Sequence, residues 1–66
     1  MNARKLPDYK LTGTERTVPT EGLQVYLQMG RKSAVAVSRA AGAEVRVGKT
    51  LRHDLRKIDA YLDTLA

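Results

Sequence analysis

Apolar residues recur at helical spacing in three stretches of this 66-residue chain. The first stretch has the i, i+3, i+4 stripe of an amphipathic helix, formed by Leu23, Tyr26 and Leu27. Pro19 and Thr20 precede it as a helix-start signal, and Gly30 follows it as a C-terminal stop in a left-handed conformation. The pattern therefore predicts a first helix from about residue 19 to residue 28.

The second stretch predicts a helix from Lys32 to Ala41 that ends at Gly42. One face carries small buried residues, namely Ala34, Val37, Ser38 and Ala41. The opposite face carries cations beside small apolar residues, namely Lys32, Val35, Ala36 and Arg39. A turn of about three residues around Gly30 joins the two helices, which is typical of a helix-turn-helix and also of other helical hairpins.

Residues 43–53 change to a period of two, which predicts a β-hairpin. The Gly48-Lys49 pair suits a two-residue type II′ turn, with glycine at its first central position. We expect three apolar side chains to face the core, those of Val45, Val47 and Leu51. We expect Lys49 at the tip and three polar side chains facing outward, those of Arg46, Thr50 and Arg52.

A third helix is predicted from about residue 55 to residue 65, with Asp54 as its N-cap. Its apolar stripe is formed by Leu55, Ile58, Leu62 and Leu65, with Tyr61 at the edge. Residues 1–17 show no period, and we interpret them as a flexible basic arm whose Arg4, Lys5, Lys10 and Arg16 are candidates for phosphate contacts. Residues 18–66 then form one domain of the α+β class, mainly α, in the order helix-helix-β-hairpin-helix of a winged helix-turn-helix.

Composition narrows the class of protein. The chain has no Cys, so neither a disulfide nor a thiolate metal site can stabilise it. No apolar run is long enough to cross a membrane, and the N-terminus has no apolar signal-peptide region, so we expect a cytoplasmic protein without membrane contacts.

Charge points to a polyanionic partner. The net charge is +5, and residues 31–57 hold eight Lys and Arg against two acids, which is net +6 in 27 residues. A basic patch confined to one part of a small domain suggests nucleic acid, although a solvated basic surface remains an alternative.

The candidate DNA-reading residues lie on the outer face of the second helix: Lys32, Ser33, Val35, Ala36 and Arg39. Arg and Lys can read guanine edges, whereas small apolar side chains contact a thymine methyl. The turn and hairpin supply candidate contacts to phosphates or a minor groove through Arg31, Arg46, Lys49, Thr50 and Arg52. A charged hairpin that resists edge-to-edge aggregation is the alternative interpretation of the second group.

No catalytic constellation is evident, so we expect a binding protein rather than an enzyme. His53 is the only histidine, which excludes a two-His metal site, and we expect it half-buried beside the third helix near Tyr61. No phosphate-binding loop or dinucleotide fingerprint is present. We therefore expect no metal, no cofactor and no small-molecule substrate.

Three segments resemble a known family: V-P-T-E-G-L-Q-V-Y-L-Q-M-G-R-K-S-A, A-G-A-E-V-R-V-G-K-T-L-R-H-D and K-I-D-A-Y-L. They are similar to the small excisionase and MerR-like winged helix-turn-helix DNA-binding domains of phages and integrative elements. The likeness covers Val18–Leu65 and includes the Gly-Arg turn, the R-V-G-K hairpin and the D-A-Y-L end. The chain departs from the family pattern at Pro19, at Leu23-Gln24 and at His53, where Thr, Ala-Ala and an aromatic residue are common.

The resemblance implies a sequence-specific double-stranded DNA-binding protein, foremost a recombination directionality factor that bends DNA at attachment sites. The partners it implies are DNA, a tyrosine integrase and further copies of the chain on DNA. A small transcriptional regulator with the same surface is one alternative. A protein-interaction module that docks through helix 55–65 is another.

Overall fold

The computed structural model describes residues 6–66, in which three helices pack against a small antiparallel sheet. The elements are β1 (Thr17–Val18), α1 (Thr20–Leu27), α2 (Arg31–Ala41), β2 (Glu44–Val47), β3 (Thr50–Asp54) and α3 (Leu55–Leu65). The predicted α+β class and the order helix-helix-hairpin-helix are confirmed. The helix boundaries lie within one residue of those predicted.

The strand β1 was not predicted, and it makes the hairpin a three-stranded sheet with the order β1-β3-β2. Thr17 pairs with Asp54 and Val18 pairs with His53. The Leu55 amide also donates to the Arg16 carbonyl at 2.8 Å. Ordered structure therefore begins before Val18, within the segment predicted to be a flexible arm; Arg4 and Lys5 of that arm lie outside the described residues.

The start of α1 explains why glycine occupies position 22. A Cβ atom at Gly22 would lie 2.8 Å from Val18 Cβ and 2.9 Å from a ring carbon of Tyr9. Both distances are shorter than real Cβ contacts. The absence of a side chain at position 22 therefore allows β1 and the Tyr9 ring to pack directly on α1.

The turn between α1 and α2 differs from the predicted one. Gln28, not Gly30, adopts the left-handed conformation, with φ 56° and ψ 47°. Its side-chain Nε2 donates to the Val25 carbonyl at 2.8 Å, which satisfies an acceptor at the end of α1. Gly30 is instead the extended N-cap of α2, and its carbonyl accepts from the Ala34 amide at 2.9 Å.

The hydrophobic core lies between the three helices and the sheet. Its fully or nearly fully buried members are Val18, Leu23, Ala34, Ala43, Leu55 and Ile58. The predicted small face of α2 is confirmed, because Ala34 and Ser38 are buried while Val37 and Ala41 pack against the core. Within residues 6–66, no helix combines the length and apolar character that crossing a membrane requires.

The start of α3 follows the prediction, but its end does not join the core. The Asp54 carboxylate accepts from the Arg56 amide at 2.9 Å, which confirms Asp54 as the N-cap. Leu55 and Ile58 are buried, whereas Leu62 and Leu65 are 37% and 65% exposed. The apolar stripe of α3 is therefore divided between a buried beginning and an exposed end.

Candidate nucleic-acid interface

The outer face of α2 gathers most of the predicted DNA-reading residues around one shallow depression. Its volume is about 490 Å³, and it is lined by Arg31, Lys32, Val35, Ala36 and Arg39. Lys32, Val35, Ala36 and Arg39 recur at helical spacing on the side away from the buried Ala34 and Ser38, so the packing of the inner face directs them outward. Arg31 joins them from the first position of the helix. Ser33 is also exposed but does not line the depression.

An ion pair connects this face to the hairpin. The Arg39 Nε–H donates to Glu44 Oε2 at 3.3 Å, and Glu44 is the first residue of β2. The Arg39 side chain is 71% exposed. The surface of α2 therefore continues onto the base of the hairpin through a charged contact that was not predicted from the sequence.

The register of the hairpin corrects the predicted inward and outward sides. The strands pair as Val47 with Thr50, Arg46 with Leu51, and Val45 with Arg52. Cross-strand partners lie on the same side of a sheet, so both valines share a side with Thr50 and Arg52. The prediction that Val47 faces the core is wrong, since this residue is 58% exposed.

The predicted hairpin contacts therefore separate into two groups. Arg46 is exposed and shares a side with Glu44 and Leu51, the side that continues towards Arg39. Lys49 is exposed in the turn, where Gly48 has φ 63°. Thr50 and Arg52 lie on the other side.

Arg52 is half-buried and already makes hydrogen bonds within the protein. Its Nη2 donates to the Thr17 carbonyl at 3.0 Å, and its Nε donates to Thr17 Oγ1 at 3.3 Å. These bonds connect β3 to β1 through side-chain donors in addition to the strand pairing. In this arrangement Arg52 stabilises the sheet, and its guanidinium is less available to an outside ligand than those of Arg31 and Arg39.

Beneath this surface, His53 is fully buried, in contrast to the half-buried position predicted for it. Its Nδ1 lies 2.6 Å from Ser38 Oγ, and its Nε2 lies 3.1 Å from Thr20 Oγ1. The ring therefore joins α1, α2 and β3. The Thr20 hydroxyl is used here rather than in capping α1, which has no side-chain cap.

Burial lowers the pKa of His53 below its ordinary value of 6.5. The Arg31 charge adds to the lowering, while the Glu44 carboxylate opposes it. Hydroxyl groups can donate or accept, so Ser38 and Thr20 can satisfy either neutral tautomer of the ring. The main penalty for protonating His53 is therefore desolvation of the charge rather than loss of a hydrogen bond.

A second depression, of about 190 Å³, lies where the N-terminal segment meets α1 and α3, and Leu11, Tyr26 and Leu55 are among its lining residues. There the Tyr26 hydroxyl donates to Asp59 Oδ1, which raises the pKa of Tyr26. Among residues 6–66, no group of three or more His, Cys, Asp or Glu side chains is arranged to hold a metal ion.

Comparisons with protein-family models, with curated proteins and with solved structures found no match for this chain.

Proposed function

We propose that the chain is a winged helix-turn-helix protein that binds double-stranded DNA through the outer face of α2. The observation that carries the proposal is a set of three exposed cations with the exposed Ala36 and the half-buried Val35 around one depression, which is lined by Arg31, Lys32, Val35, Ala36 and Arg39. Accessible apolar side chains between cations are unusual on a purely solvated face. They are ordinary where a helix lies against base edges in a major groove.

The DNA contacts that we assign to individual residues of α2 follow from side-chain chemistry. Lys32 and Arg39 can donate to O6 and N7 of guanine, and Val35 and Ala36 can contact a thymine methyl. Arg31, at the first position of the helix, is suited to a phosphate, since the N-terminal end of a helix is itself an anion-binding element. Ser33 lies at the edge of this face and is assigned a secondary contact.

We assign backbone contacts in the hairpin to Arg46 and Lys49. Arg46 lies on the side of the sheet shared with Glu44, and Lys49 lies in the exposed turn. Thr50 and Arg52 are on the opposite side, so they would reach DNA only if it wrapped around the hairpin. We therefore give Arg52 mainly a structural role through Thr17.

The proposed biological role follows the resemblance to excisionases: a cytoplasmic, non-enzymatic factor that bends DNA at attachment sites together with a tyrosine integrase. An isolated module of this kind contacts DNA over about 600–1,000 Å² of protein surface, so several copies on repeated sites would be needed for firm binding. Footprinting separates this role from the alternative of transcriptional regulation. Protection at the ends of a mobile element supports the first, and protection over a promoter supports the second.

A second candidate function is protein docking through the end of α3. The observation that favours it is the exposure of Leu62 and Leu65, which continue the buried apolar stripe into solvent. Replacing both leucines with Ser leaves DNA binding intact and abolishes a partner-dependent activity if this surface docks a protein. Unchanged activity in the double variant would eliminate this candidate.

The test of DNA binding is selection of duplexes from a random library, followed by fluorescence anisotropy at several salt concentrations. We expect the double variant Lys32→Ala, Arg39→Ala to lose at least tenfold in affinity for the selected site. Lys57→Ala removes a cation from an exposed position on α3 and serves as a control. Failure of the folded wild-type protein to retain any duplex at low salt would refute the proposal.

A further inference from the structure

The contact between Arg39 and Glu44 joins a proposed base-reading residue to a carboxylate on a different element. Residues 31–53 contain six Lys and Arg and a single acid, Glu44. That acid lies within hydrogen-bond distance of the cation best suited to read guanine. A carboxylate at a DNA-binding surface repels phosphate, so its presence there calls for a function that offsets the repulsion.

Both residues of the ion pair lie next to a contact of the buried His53. Arg39 follows Ser38, whose hydroxyl bonds to His53 Nδ1 at 2.6 Å. Glu44 is the cross-strand partner of His53 in the hairpin. The Ala43 amide also donates to the Ser38 carbonyl at 2.9 Å, so backbone contacts connect the end of α2 to the start of β2.

The geometry of the hydrogen bond leaves the reading end of the guanidinium available. Glu44 accepts from Nε–H of Arg39, and the two terminal Nη groups carry the remaining four donors. Guanine presents two neighbouring acceptors, O6 and N7, which match two parallel N–H donors. Holding the Nε edge against β2 therefore restricts the rotation of the guanidinium without using the donors that a guanine would need.

Stability does not account for the pair. The Arg39 side chain is 71% exposed, and exposed ion pairs contribute little to the free energy of folding because water and salt screen them. We expect the pair to orient the Arg39 side chain when DNA covers it, because exclusion of water and salt strengthens the attraction between the two charges.

We propose that Glu44 is a positioning residue that orients Arg39 for one guanine, and so sets base specificity at the expense of affinity for DNA in general. This inference rests on the proposed DNA-binding function. It assigns to the base of the hairpin a part in reading sequence, in addition to the phosphate contacts proposed for the hairpin.

The experiment compares wild-type protein with Glu44→Gln on the selected duplex and on duplexes in which single G·C pairs are replaced. The measured quantity is the ratio of affinities for matched and substituted duplexes at a fixed salt concentration. We expect Glu44→Gln to reduce this ratio on the order of tenfold at one G·C pair, while affinity for unrelated duplex rises. Asp63→Asn removes an exposed acid on α3 and should change neither quantity.

Combining Glu44→Gln with Arg39→Ala tests whether the effect of Glu44 on specificity requires the Arg39 side chain. The specificity loss at that G·C pair should be present in Arg39→Ala alone, and adding Glu44→Gln should reduce the ratio no further. Circular dichroism and urea unfolding of each variant show that the fold is retained.

Three outcomes would overturn the inference. Equal gains in affinity for all duplexes, with unchanged ratios, would make Glu44 a source of repulsion only. A larger gain for the matched duplex than for others would make Glu44 a latch that withholds Arg39 from DNA. If wild-type protein binds no DNA, the proposed function fails and the inference with it, whereas unchanged ratios in a protein that binds refute the inference alone.

Discussion

The two sides of α2 differ in burial, charge and side-chain size. The inner side is small, buried and connected to His53 by the Ser38 hydroxyl. The outer side is cationic, exposed and formed around a depression. One eleven-residue helix therefore combines a surface that determines stability with a surface that we assign to binding, and substitutions on the two sides should have separable effects.

The inner side of α2 has an apolar part and a polar part. Ala34 packs in the hydrophobic core with no exposed surface, and Ser38 takes part in a buried polar group with His53 and Thr20. Within the described residues, every buried side-chain nitrogen and oxygen has a hydrogen-bond partner. Crowding the apolar part and removing a partner from the polar part are therefore different ways to destabilise the same side.

The largest effect is expected from Ala34→Leu, which forces three more carbon atoms into a fully buried position. Overpacking of this kind costs about 1–3 kcal/mol and occasionally more, which is a large share of the stability of so small a domain. Urea unfolding measures the loss. Ala36→Leu, two residues further along and on the exposed side, should change stability by less than about 0.5 kcal/mol. Equal losses would show that the two sides do not differ.

Ser38→Ala should destabilise the fold by about 1–3 kcal/mol, because it leaves His53 Nδ1 buried without its partner. Ser33→Ala is the matched control on the exposed side, where the change should stay within about 0.5 kcal/mol. Thermal unfolding of the two variants under identical conditions gives the comparison. A Ser38→Ala protein as stable as the wild type would mean that the buried bond adds nothing to stability.

The pH dependence of stability tests the buried ring. The pKa of His53 is lowered in the folded protein by burial, so the unfolded chain binds a proton more readily. Stability from keeping the ring neutral is complete above the unfolded pKa, about 6.5, and is lost as the pH falls below it. Between about pH 7 and about pH 5, the wild type should lose more stability than His53→Gln in urea titrations.

Acidic side chains titrate in both proteins, so the difference between the two pH profiles isolates the histidine. Identical profiles would show that His53 has the same pKa in the folded and unfolded states. Mild acid should also lower the affinity of the outer side for DNA. Ser38 is hydrogen-bonded to His53 and Glu44 is paired with it in the sheet, so protonation of the ring should disturb the residues next to Arg39.

The smallest effect is expected at the hairpin tip. Lys49→Ala should reduce the slope of the logarithm of DNA affinity against the logarithm of salt concentration by about 0.9, the value for one lost phosphate contact. Stability should change by less than about 0.5 kcal/mol, since the residue is exposed. Thr50→Ala, an uncharged neighbour on the other side, should leave the slope unchanged; a slope unaffected by either variant would remove the hairpin tip from the interface.

Helices α2 and α3 could be predicted from sequence because their signals are local. A small apolar face, a capping Asp54 and a left-handed Gly42 each act within one or two turns, and the structure confirms all of them. The outer face of α2 followed from the same periodicity, since residues opposite a buried stripe must be exposed. What remained open was the use of that face, which periodicity does not address.

Three features of the fold were predicted wrongly or not predicted: the two sides of the hairpin, the end of α1 and the strand β1. The sides of the hairpin were assigned by hydrophobicity, but the two-residue turn fixes the register and places Val47 opposite the exposed Thr50. The stop of α1 was assigned to Gly30, but the Gln28 side chain stabilises a left-handed residue two positions earlier. The strand β1 has only two residues, too few for any alternation to be visible.

By itself, the sequence determined the number and order of the helices, the hairpin and the cationic outer face of α2, because each depends on spacing along a single element. Only the tertiary structure decided how His53 and Glu44 are used. Ser38 and Thr20 enclose the ring from two helices, and Glu44 meets Arg39 across the turn at Gly42 that connects α2 to β2. The His53 contacts join residues that are far apart in the sequence, and the Arg39 contact depends on the path of the turn, so periodicity within one element predicts neither.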